Sequence, residues 1–343
     1  MRTINGTNSS DALAGDMKDQ NVILGLDGDD TITAGMLADE LRGGRGSDKI
    51  AGGSGDDTIY GDTGNDLLSG GQGNDLIAAG EGDDNVAGGK GNDTVTGGKG
   101  NDVISGDTGN DNLIGNSGDD TLIGGAGNDT VDGSSGNDKL VAGSGDDLLI
   151  ARTGTDLYSG GAGYDSVDFH NILGKVIVDL TKETGTLMFG HVAVAAPMLS
   201  IEALIGNDAG DTFTGSKAAN VFAGGAGNDW MRGGAGSDTM TGGGGADTFV
   251  VLKKDLAGGS VDTIKDFDAG TDQLNLSDFL KGHAHYADAL RLIGTHGEAG
   301  NGIMVQGLVD HAWTDVALLD GLDINSIGVD HHAMILADLG LMA

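Results

Sequence analysis

Residues 25–168 consist of sixteen consecutive nine-residue units of the form Gly-Gly-x-Gly-x-Asp-x-U-x, where U is an apolar residue. The sixth position is aspartate in every unit, at Asp30, Asp39, Asp48, Asp57, Asp66, Asp75, Asp84, Asp93, Asp102, Asp111, Asp120, Asp129, Asp138, Asp147, Asp156 and Asp165. The eighth position is apolar in every unit, from Ile32 to Val167, and glycine fills the fourth position except at Leu37. One apolar position in nine fits neither an amphipathic helix nor a long alternating strand.

The fixed phase of the unit predicts a short strand with one inward side chain, followed by a tight turn. Glycines at the first, second and fourth positions allow backbone angles that other residues avoid, and they let the turn pass close to a ligand. A composition of 67 glycines and 53 acidic residues would by itself favour a disordered linker. A linker does not hold aspartate and an aliphatic residue in one nine-residue phase, so we expect a folded repeat array.

The pattern resembles the RTX (repeats-in-toxin) family of calcium-binding nonapeptide repeats. The resemblance implies an all-β fold, a right-handed parallel β-roll in which two units form one coil. Units n and n+2 would then stack on the same side of the roll, with strands about 4.8 Å apart. Each side of the roll is therefore expected to carry a ladder of aspartates.

Such a ladder is unstable without a counterion. Two carboxylates about 5 Å apart repel by roughly 0.8 kcal/mol in water, and by several times more at the lower effective dielectric of a protein surface. Ca²⁺ accepts a flexible mixture of carboxylate and carbonyl oxygens better than Mg²⁺ does. We therefore predict several Ca²⁺ ions between successive turns, bound by the sixteen aspartates and by glycine carbonyls, with up to seven sites on each side.

The chain divides by pattern into five segments. Residues 1–24 are predicted to be an N-terminal cap of degenerate repeats, and residues 25–168 the main roll. Residues 169–205 lose the phase and are interpreted as an irregular β-rich insertion that continues the solenoid. Residues 206–250 form a second block of five units, and residues 251–343 a C-terminal capping region.

The N-terminal cap contains recognisable but imperfect units. Residues 6–14 keep Asp11 and Leu13 at the sixth and eighth positions, and the next segment, residues 15–24, is one residue too long. Terminal repeats of a solenoid are usually atypical, which supports the interpretation as a cap.

The second block has the same register with larger inward residues. Its sixth positions are Asp211, Asn220, Asp229, Asp238 and Asp247, and its eighth positions are Phe213, Phe222, Met231, Met240 and Phe249. Ala209 and Ala218 stand where the turn glycine belongs in the first two units. Calcium sites are therefore predicted in this block only at Asp229, Asp238 and Asp247.

The C-terminal segment opens with an element, residues 262–279, that resembles D-x-I-x-D-F-x-x-G-x-D-x-L-x-L-x-x-F of serralysins and related secreted proteins. A short helix is expected within residues 286–293, with strands near residues 303–306 and 315–319. The apolar tail from Ala333 is similar to the uncleaved type I secretion signals of the family. The implied partner is a type I secretion apparatus.

Composition excludes several classes of protein. A net charge of −35 excludes a general nucleic-acid binder, and residues 25–168 alone contain 28 acidic and 7 basic residues. The absence of cysteine excludes a disulfide framework, and no apolar run predicts a membrane span. Residues 1–5 lack the apolar core of a Sec signal peptide, so export is expected to use another route.

Catalytic motifs are lacking. The sequence contains no H-E-x-x-H of a zinc protease and no G-x-S-x-G of an α/β-hydrolase. His283, His285, His331 and His332 lack a carboxylate at ligand spacing and are interpreted as solvated.

We predict a secreted, extracellular, non-enzymatic calcium-binding protein that folds on extracellular Ca²⁺. Its role would be structural or adhesive, or that of a matrix component, with a cell-surface glycan or self-association as possible partners. The alternative is an accessory module of a secreted hydrolase, or a hydrolase with a small catalytic site in residues 169–205 or 280–343.

Overall fold

The computed structural model describes residues 1–189, 192–256, 259–281, 290–297, 300–309 and 312–321. It contains two compact units, which are described separately: Met1–Asp168 with Ala196–Ile201, and Phe169–Ala195 with Glu202–Ala343. In the described residues, helical structure is limited to one 3-10 turn, Lys253–Leu256, and one α-helical turn, Ser277–Leu280. The protein is therefore all-β, as predicted.

The first unit contains strands β1 to β19. In chain order they are Arg2–Asn5, Ala12–Ala14, Asn21–Asp27, Thr31–Thr33, Glu40–Arg45, Lys49–Ser54, Thr58–Thr63, Leu67–Gln72, Leu76–Glu81, Asn85–Lys90, Thr94–Lys99, Val103–Thr108, Asn112–Ser117, Thr121–Ala126, Thr130–Ser135, Lys139–Ser144, Leu148–Ile150, Leu157–Ala162 and Ser166–Asp168. Odd-numbered and even-numbered strands pair within their own sets, always in parallel. Among strands β3 to β19 the partner of each residue is 18 positions away, so that Val86 pairs with Leu68 and Ile104. β1 and β2 pair with β3 and β4 at an offset of 19. Two nonapeptides thus make one coil, which confirms the predicted parallel β-roll.

The core of the first unit is a stack of eighth-position side chains. Ile32, Leu68, Ile104 and Leu140 are at most 1% exposed, and so are their counterparts on the other side of the coil. Burial of each such side chain stabilises the roll by about 1.5–3 kcal/mol. The first position also faces inward, since Ala79 is fully buried there. The seventh and ninth positions lie on the outer faces, as the alternating burial of β6 shows.

The turns between strands depend on two left-handed residues, at the second and fourth positions. In the ninth unit, Gly98 has φ +127° and Gly100 has φ +124°. A Cβ at Gly98 would collide with the carbonyl oxygen of Gly80, which lies one coil earlier. Glycine is therefore needed at this position both for its backbone angle and for the close stacking of coils.

The second unit contains strands β20 to β33. They are Val176–Asp179, Thr184–Phe189, Val192–Leu199, Ala203–Ile205, Thr212–Thr214, Val221–Ala226, Trp230–Arg232, Thr239–Gly244, Thr248–Val250, Asp262–Ile264, Gln273–Asn275, Leu290–Gly297, Gly300–Val309 and Ala312–Asp320. The last residues of β22 belong to the first unit, where Met198 pairs in parallel with Tyr158. β20, β24, β26, β28 and β30 form one parallel set, and β23, β25, β27 and β29 form another.

Among the described residues of the second unit, antiparallel pairing is seen in two segments. β20 and β21 form a hairpin in the segment where the nine-residue phase is lost. β31, β32 and β33 form an antiparallel meander, which confirms the strands predicted near residues 303–306 and 315–319. The helix predicted within 286–293 is wrong for residues 290–293, which begin β31, while residues 286–289 lie outside the described part. These residues pair with β32 along the whole length of β31, so tertiary pairing overrides local helix preference.

The core of the second unit has larger and more aromatic side chains. Phe213, Phe222, Met231, Met240 and Phe249 are fully buried. The rings of Phe213 and Phe222 are 5.6 Å apart between centroids, at an interplanar angle of 58°. This tilted contact is favourable for aromatic pairs.

Candidate metal centre

The aspartates at the sixth positions lie buried at the ends of the turns. All nineteen that were predicted to bind metal are at most 4% exposed. They are Asp30, Asp39, Asp48, Asp57, Asp66, Asp75, Asp84, Asp93, Asp102, Asp111, Asp120, Asp129, Asp138, Asp147, Asp156, Asp165, Asp229, Asp238 and Asp247. A carboxylate at this depth needs a hydrogen-bond donor, a cation or a proton.

One oxygen of each carboxylate connects neighbouring coils. The Asp84 backbone N–H donates to Asp102 Oδ1 at 2.9 Å, and the Asp102 N–H donates to Asp120 Oδ1 at 2.8 Å. The same bond recurs in two ladders, every 18 residues except for the 19 between Asp11 and Asp30. One ladder runs Asp11–Asp30–Asp48–Asp66–Asp84–Asp102–Asp120–Asp138–Asp156, and the other Asn21–Asp39–Asp57–Asp75–Asp93–Asp111–Asp129–Asp147–Asp165. The carboxylate ladders predicted from the repeat are therefore present in the first unit.

The second carboxylate oxygen has no hydrogen-bond donor in fifteen of the nineteen aspartates. It is buried without a hydrogen bond in Asp30, Asp48, Asp57, Asp66, Asp75, Asp84, Asp93, Asp102, Asp111, Asp120, Asp129, Asp147, Asp229, Asp238 and Asp247. Buried polar atoms without a hydrogen bond are rare in proteins, and a repeated set of them is the arrangement expected of atoms that bind a ligand.

Space for that ligand is provided by the first-position glycine. A Cβ at Gly97 would overlap Asp102 Oδ2 and would lie 2.9 Å from the carbonyl oxygen of Gly115, one coil later. A carboxylate oxygen and a main-chain carbonyl oxygen from successive coils thus face the same small space. Oxygen donors of these two kinds are those that Ca²⁺ prefers, so the residues fit the predicted ion.

The electrostatics of the ladder also favour a cation. Burial raises the pKa of Asp57, Asp66 and Asp93 from an ordinary value near 4 to about 7, and that of Asp84 and Asp120 to about 6. The accepted backbone N–H lowers each pKa in part, and the neighbouring carboxylates raise it further. Without a cation, the folded ladder would therefore take up protons near neutral pH.

Of the other four predicted aspartates, Asp165 accepts the Asp147 N–H through Oδ1 at 3.1 Å, and Asp39 and Asp156 have a protein donor for the second oxygen. Asp39 Oδ2 accepts the Gly35 N–H at 3.0 Å, and Asp156 Oδ2 accepts the Tyr158 hydroxyl at 2.9 Å. Asp138 accepts the Asp120 N–H through Oδ1, and burial raises its pKa to about 7.

Two ladder residues were missed by the sequence analysis. The Asp238 N–H donates to Asp262 Oδ1 at 3.2 Å, and the Asp247 N–H donates to Asp272 Oδ1 at 3.0 Å. Both aspartates begin an Asp-x-apolar triplet in the C-terminal element, which was the available signal. Burial, and then the charge of Asp238, raise the pKa of Asp262 to about 8.

The sequence analysis also missed a separate set of hydrogen bonds between coils, which is formed by the side chains at the fifth position. The Asn101 N–H donates to Asp83 Oδ1, and the Asp119 N–H donates to Asn101 Oδ1, both at 2.8 Å. These bonds are exposed and run in the opposite direction along the roll. Asparagine or aspartate occupies most fifth positions, so the available signal was this side-chain preference.

Other sites are not evident in the part of the chain that the structure describes. Within it, no cluster of three or more His, Cys, Asp or Glu side chains could hold a metal ion. Main-chain oxygens would therefore have to supply most ligands of each site. His283, His285, His331 and His332 lie outside the described residues. Among the residues described, no helix is long and apolar enough to cross a membrane.

Comparison with known proteins gives one match. No curated protein matches the chain. The family model for the RTX calcium-binding nonapeptide repeat, which spans four copies, matches in overlapping segments that cover residues 18–167 and 205–249. These segments amount to more than half of the chain and contain both ladders of the first unit except for Asp11. The chain therefore belongs to the RTX calcium-binding nonapeptide repeat family, whose repeats bind calcium ions at multiple sites in a parallel β-roll.

Proposed function

We propose that this chain binds Ca²⁺ through the fifteen aspartates whose Oδ2 atoms are buried without a partner. Carbonyl oxygens of adjacent coils would complete each site, as the space beside Gly97 illustrates. The observation that carries the proposal is the repeated unpartnered oxygen, because one cation per turn would satisfy it and neutralise the ladder.

The same ions would control folding. Extracellular calcium modules bind with dissociation constants of about 10⁻⁴ to 10⁻³ M, so the sites would be empty at cytosolic calcium levels. An empty array keeps the repulsion of its aspartates and has few apolar side chains to bury. Binding free energy then contributes directly to folding, because no site exists in the unfolded chain.

We further propose that the protein is exported by a type I secretion apparatus and folds outside the cell. An unfolded, calcium-free chain suits passage through a narrow channel, and millimolar calcium outside would fold it. There it would serve as a structural, adhesive or matrix component that binds a surface glycan or other copies of itself. The predicted secretion signal from Ala333 lies outside the described residues. The accessory role in a secreted hydrolase stays the alternative prediction.

The calcium proposal is tested by counting ions. Equilibrium dialysis and native mass spectrometry at 10 mM calcium should find up to fifteen bound ions per chain, one for each unpartnered Oδ2. Magnesium at the same concentration should give far fewer, because it demands near-ideal octahedral geometry. Fewer than about eight calcium ions, or equal binding of magnesium, would contradict the proposed sites.

The extracellular role needs a separate test. Cells that carry the chain with a matched type I exporter should release it into calcium-containing medium. Retention in the cytosol with and without the exporter would count against the secretion proposal, without affecting the calcium sites.

A further inference from the structure

Six sixth-position side chains close their turns in a different way from the rest. In each, a side-chain oxygen accepts a backbone N–H from the start of its own turn. The six bonds are Thr7 N–H to Asp11 (2.6 Å), Asp16 to Asn21 (3.0 Å), Gly35 to Asp39 (3.0 Å), Asn207 to Asp211 (3.0 Å), Ser216 to Asn220 (2.8 Å) and Asp268 to Asp272 (2.9 Å). We call these the self-capped turns.

Backbone handedness separates the two kinds of turn. Every turn with an unpartnered Oδ2 has positive φ at both its second and fourth positions, as at Gly98 and Gly100. No self-capped turn has positive φ at either position. In three of them the fourth position is Leu37, Ala209 or Ala218, for which a left-handed conformation is costly. A turn without positive φ at these two positions therefore supplies an N–H donor for its own sixth-position side chain, and a turn with positive φ at both leaves Oδ2 without one.

The residue types support this division. Asn21 and Asn220, which take the aspartate position in their ladders, both occur in self-capped turns. A neutral amide oxygen accepts an N–H as a carboxylate does, but it offers no charge to a cation. Every turn with an unpartnered Oδ2 has aspartate instead. Self-capped turns thus accept a neutral asparagine in place of the charged aspartate at the sixth position.

Four of the six self-capped turns begin a ladder, while Asp39 is the second rung of its ladder. Asp11 and Asn21 begin the two ladders of the first unit. In the second unit, Asp211 and Asn220 begin the two ladders, and Asp272 ends one of them. Each unit therefore starts with coils whose buried polar groups are satisfied by the protein alone.

We propose that the self-capped turns bind no calcium and give each unit a calcium-independent first coil, on which the calcium-binding coils stack. This inference rests on the proposed calcium function and makes it more specific. It removes Asp39 from the predicted ligands, because both of its carboxylate oxygens already accept hydrogen bonds from the protein. It also predicts that a self-capped turn becomes a calcium site when its backbone can turn left-handed.

The loss of a ligand is tested with a matched pair on one ladder. Asp39 and Asp57 are neighbouring rungs, and only Asp57 has an unpartnered Oδ2. In native mass spectra at saturating calcium, Asp57→Asn should lose at least one ion, and Asp39→Asn should keep the wild-type number. An equal loss in both variants would overturn the inference while leaving the calcium function intact. No loss in either variant would overturn both.

The gain of a site is tested at the same turn, and this keeps the inference testable if Asp39→Asn folds poorly. Leu37→Gly restores glycine at the fourth position, and Gly35 already occupies the second. This variant should bind one more calcium ion than the wild type. The control Ala38→Gly adds the same flexibility at the fifth position and should leave the count unchanged. No gain in Leu37→Gly, or the same gain in both variants, would overturn the inference.

Discussion

Substitution of Asp102 separates the two tasks of a ladder carboxylate. Its Oδ1 accepts the Asp84 N–H at 2.9 Å, and its Oδ2 faces the space beside Gly97. Asp102→Asn keeps an oxygen acceptor for the Asp84 N–H and removes the charge that a cation needs. Asp102→Ala removes both the acceptor and the charge. The difference between the two variants therefore measures the inter-coil hydrogen bond, and the effect of asparagine measures the ion.

The expected magnitudes follow from binding linkage and from the lost hydrogen bond. One site with a dissociation constant of about 10⁻⁴ to 10⁻³ M contributes about 1.4–2.7 kcal/mol to the free energy of unfolding at 10 mM calcium. Asp102→Asn should lose about this amount. Asp102→Ala should lose a further ~1–3 kcal/mol, because the Asp84 N–H would be buried without an acceptor.

Urea unfolding at 10 mM calcium, followed by circular dichroism, measures both losses against the wild type. Raising calcium to 50 mM should restore part of the stability of each variant through the remaining sites. Wild-type stability in Asp102→Asn would show that no ion binds there. Equal losses in the two variants would show that Oδ1 contributes no hydrogen bond to stability.

Three further predictions concern the core, the protonation of the ladder and the tyrosine-capped turn. Ile104→Asp buries a charge at a fully buried position, so its folding should fail even at calcium concentrations that rescue Asp102→Asn; equal rescue would refute the assigned core role. Burial raises the pKa of Asp57 and Asp66 to about 7 in the folded roll, so ladder protonation stabilises the calcium-free fold fully below pH 4 and is lost as the pH rises through 7. Chelated protein should therefore gain β-structure by circular dichroism between pH 8 and pH 4, and a flat profile would contradict this. Tyr158→Phe should lower the free energy of unfolding by about 1–3 kcal/mol, because Asp156 Oδ2 loses its hydroxyl donor; an unchanged urea midpoint would show that the bond is dispensable.

The parts of the fold that depend on the repeat could be predicted from the sequence. The repeat places aspartate and an aliphatic residue at fixed positions of every nine-residue unit. This pattern predicts that Ile104 is inside the roll and that Asp102 lies at the turn. The offset of 18 residues between strand partners follows from two units per coil. These features arise from local geometry that each unit repeats, so one unit predicts the next.

The partner of the second carboxylate oxygen could not be predicted from the aspartate alone. Asp39 and Asp57 have the same position in their units, yet one accepts the Gly35 N–H and the other has no partner. The difference depends on backbone angles at two other residues of the turn. The fourth-position residue, such as Leu37, was visible in the sequence, but its effect on the side chain required the structure.

Irregular segments were the least predictable. The β20–β21 hairpin and the meander that includes β31 replace the parallel coil by antiparallel pairing. No fixed period marks them, so their pairing depends on tertiary contacts. Asp262 and Asp272 continue the ladders across an altered spacing, where the period of nine no longer indicated them.

The central claim is that calcium holds the roll together, and circular dichroism of the whole chain at neutral pH tests it most directly. In EGTA the spectrum should show mostly disorder, because the buried ladder carboxylates have no counterion. Titration of calcium into the millimolar range should produce the β signal cooperatively, and magnesium should not replace it. A full β signal in EGTA, with a melting curve that calcium does not change, would contradict the claim.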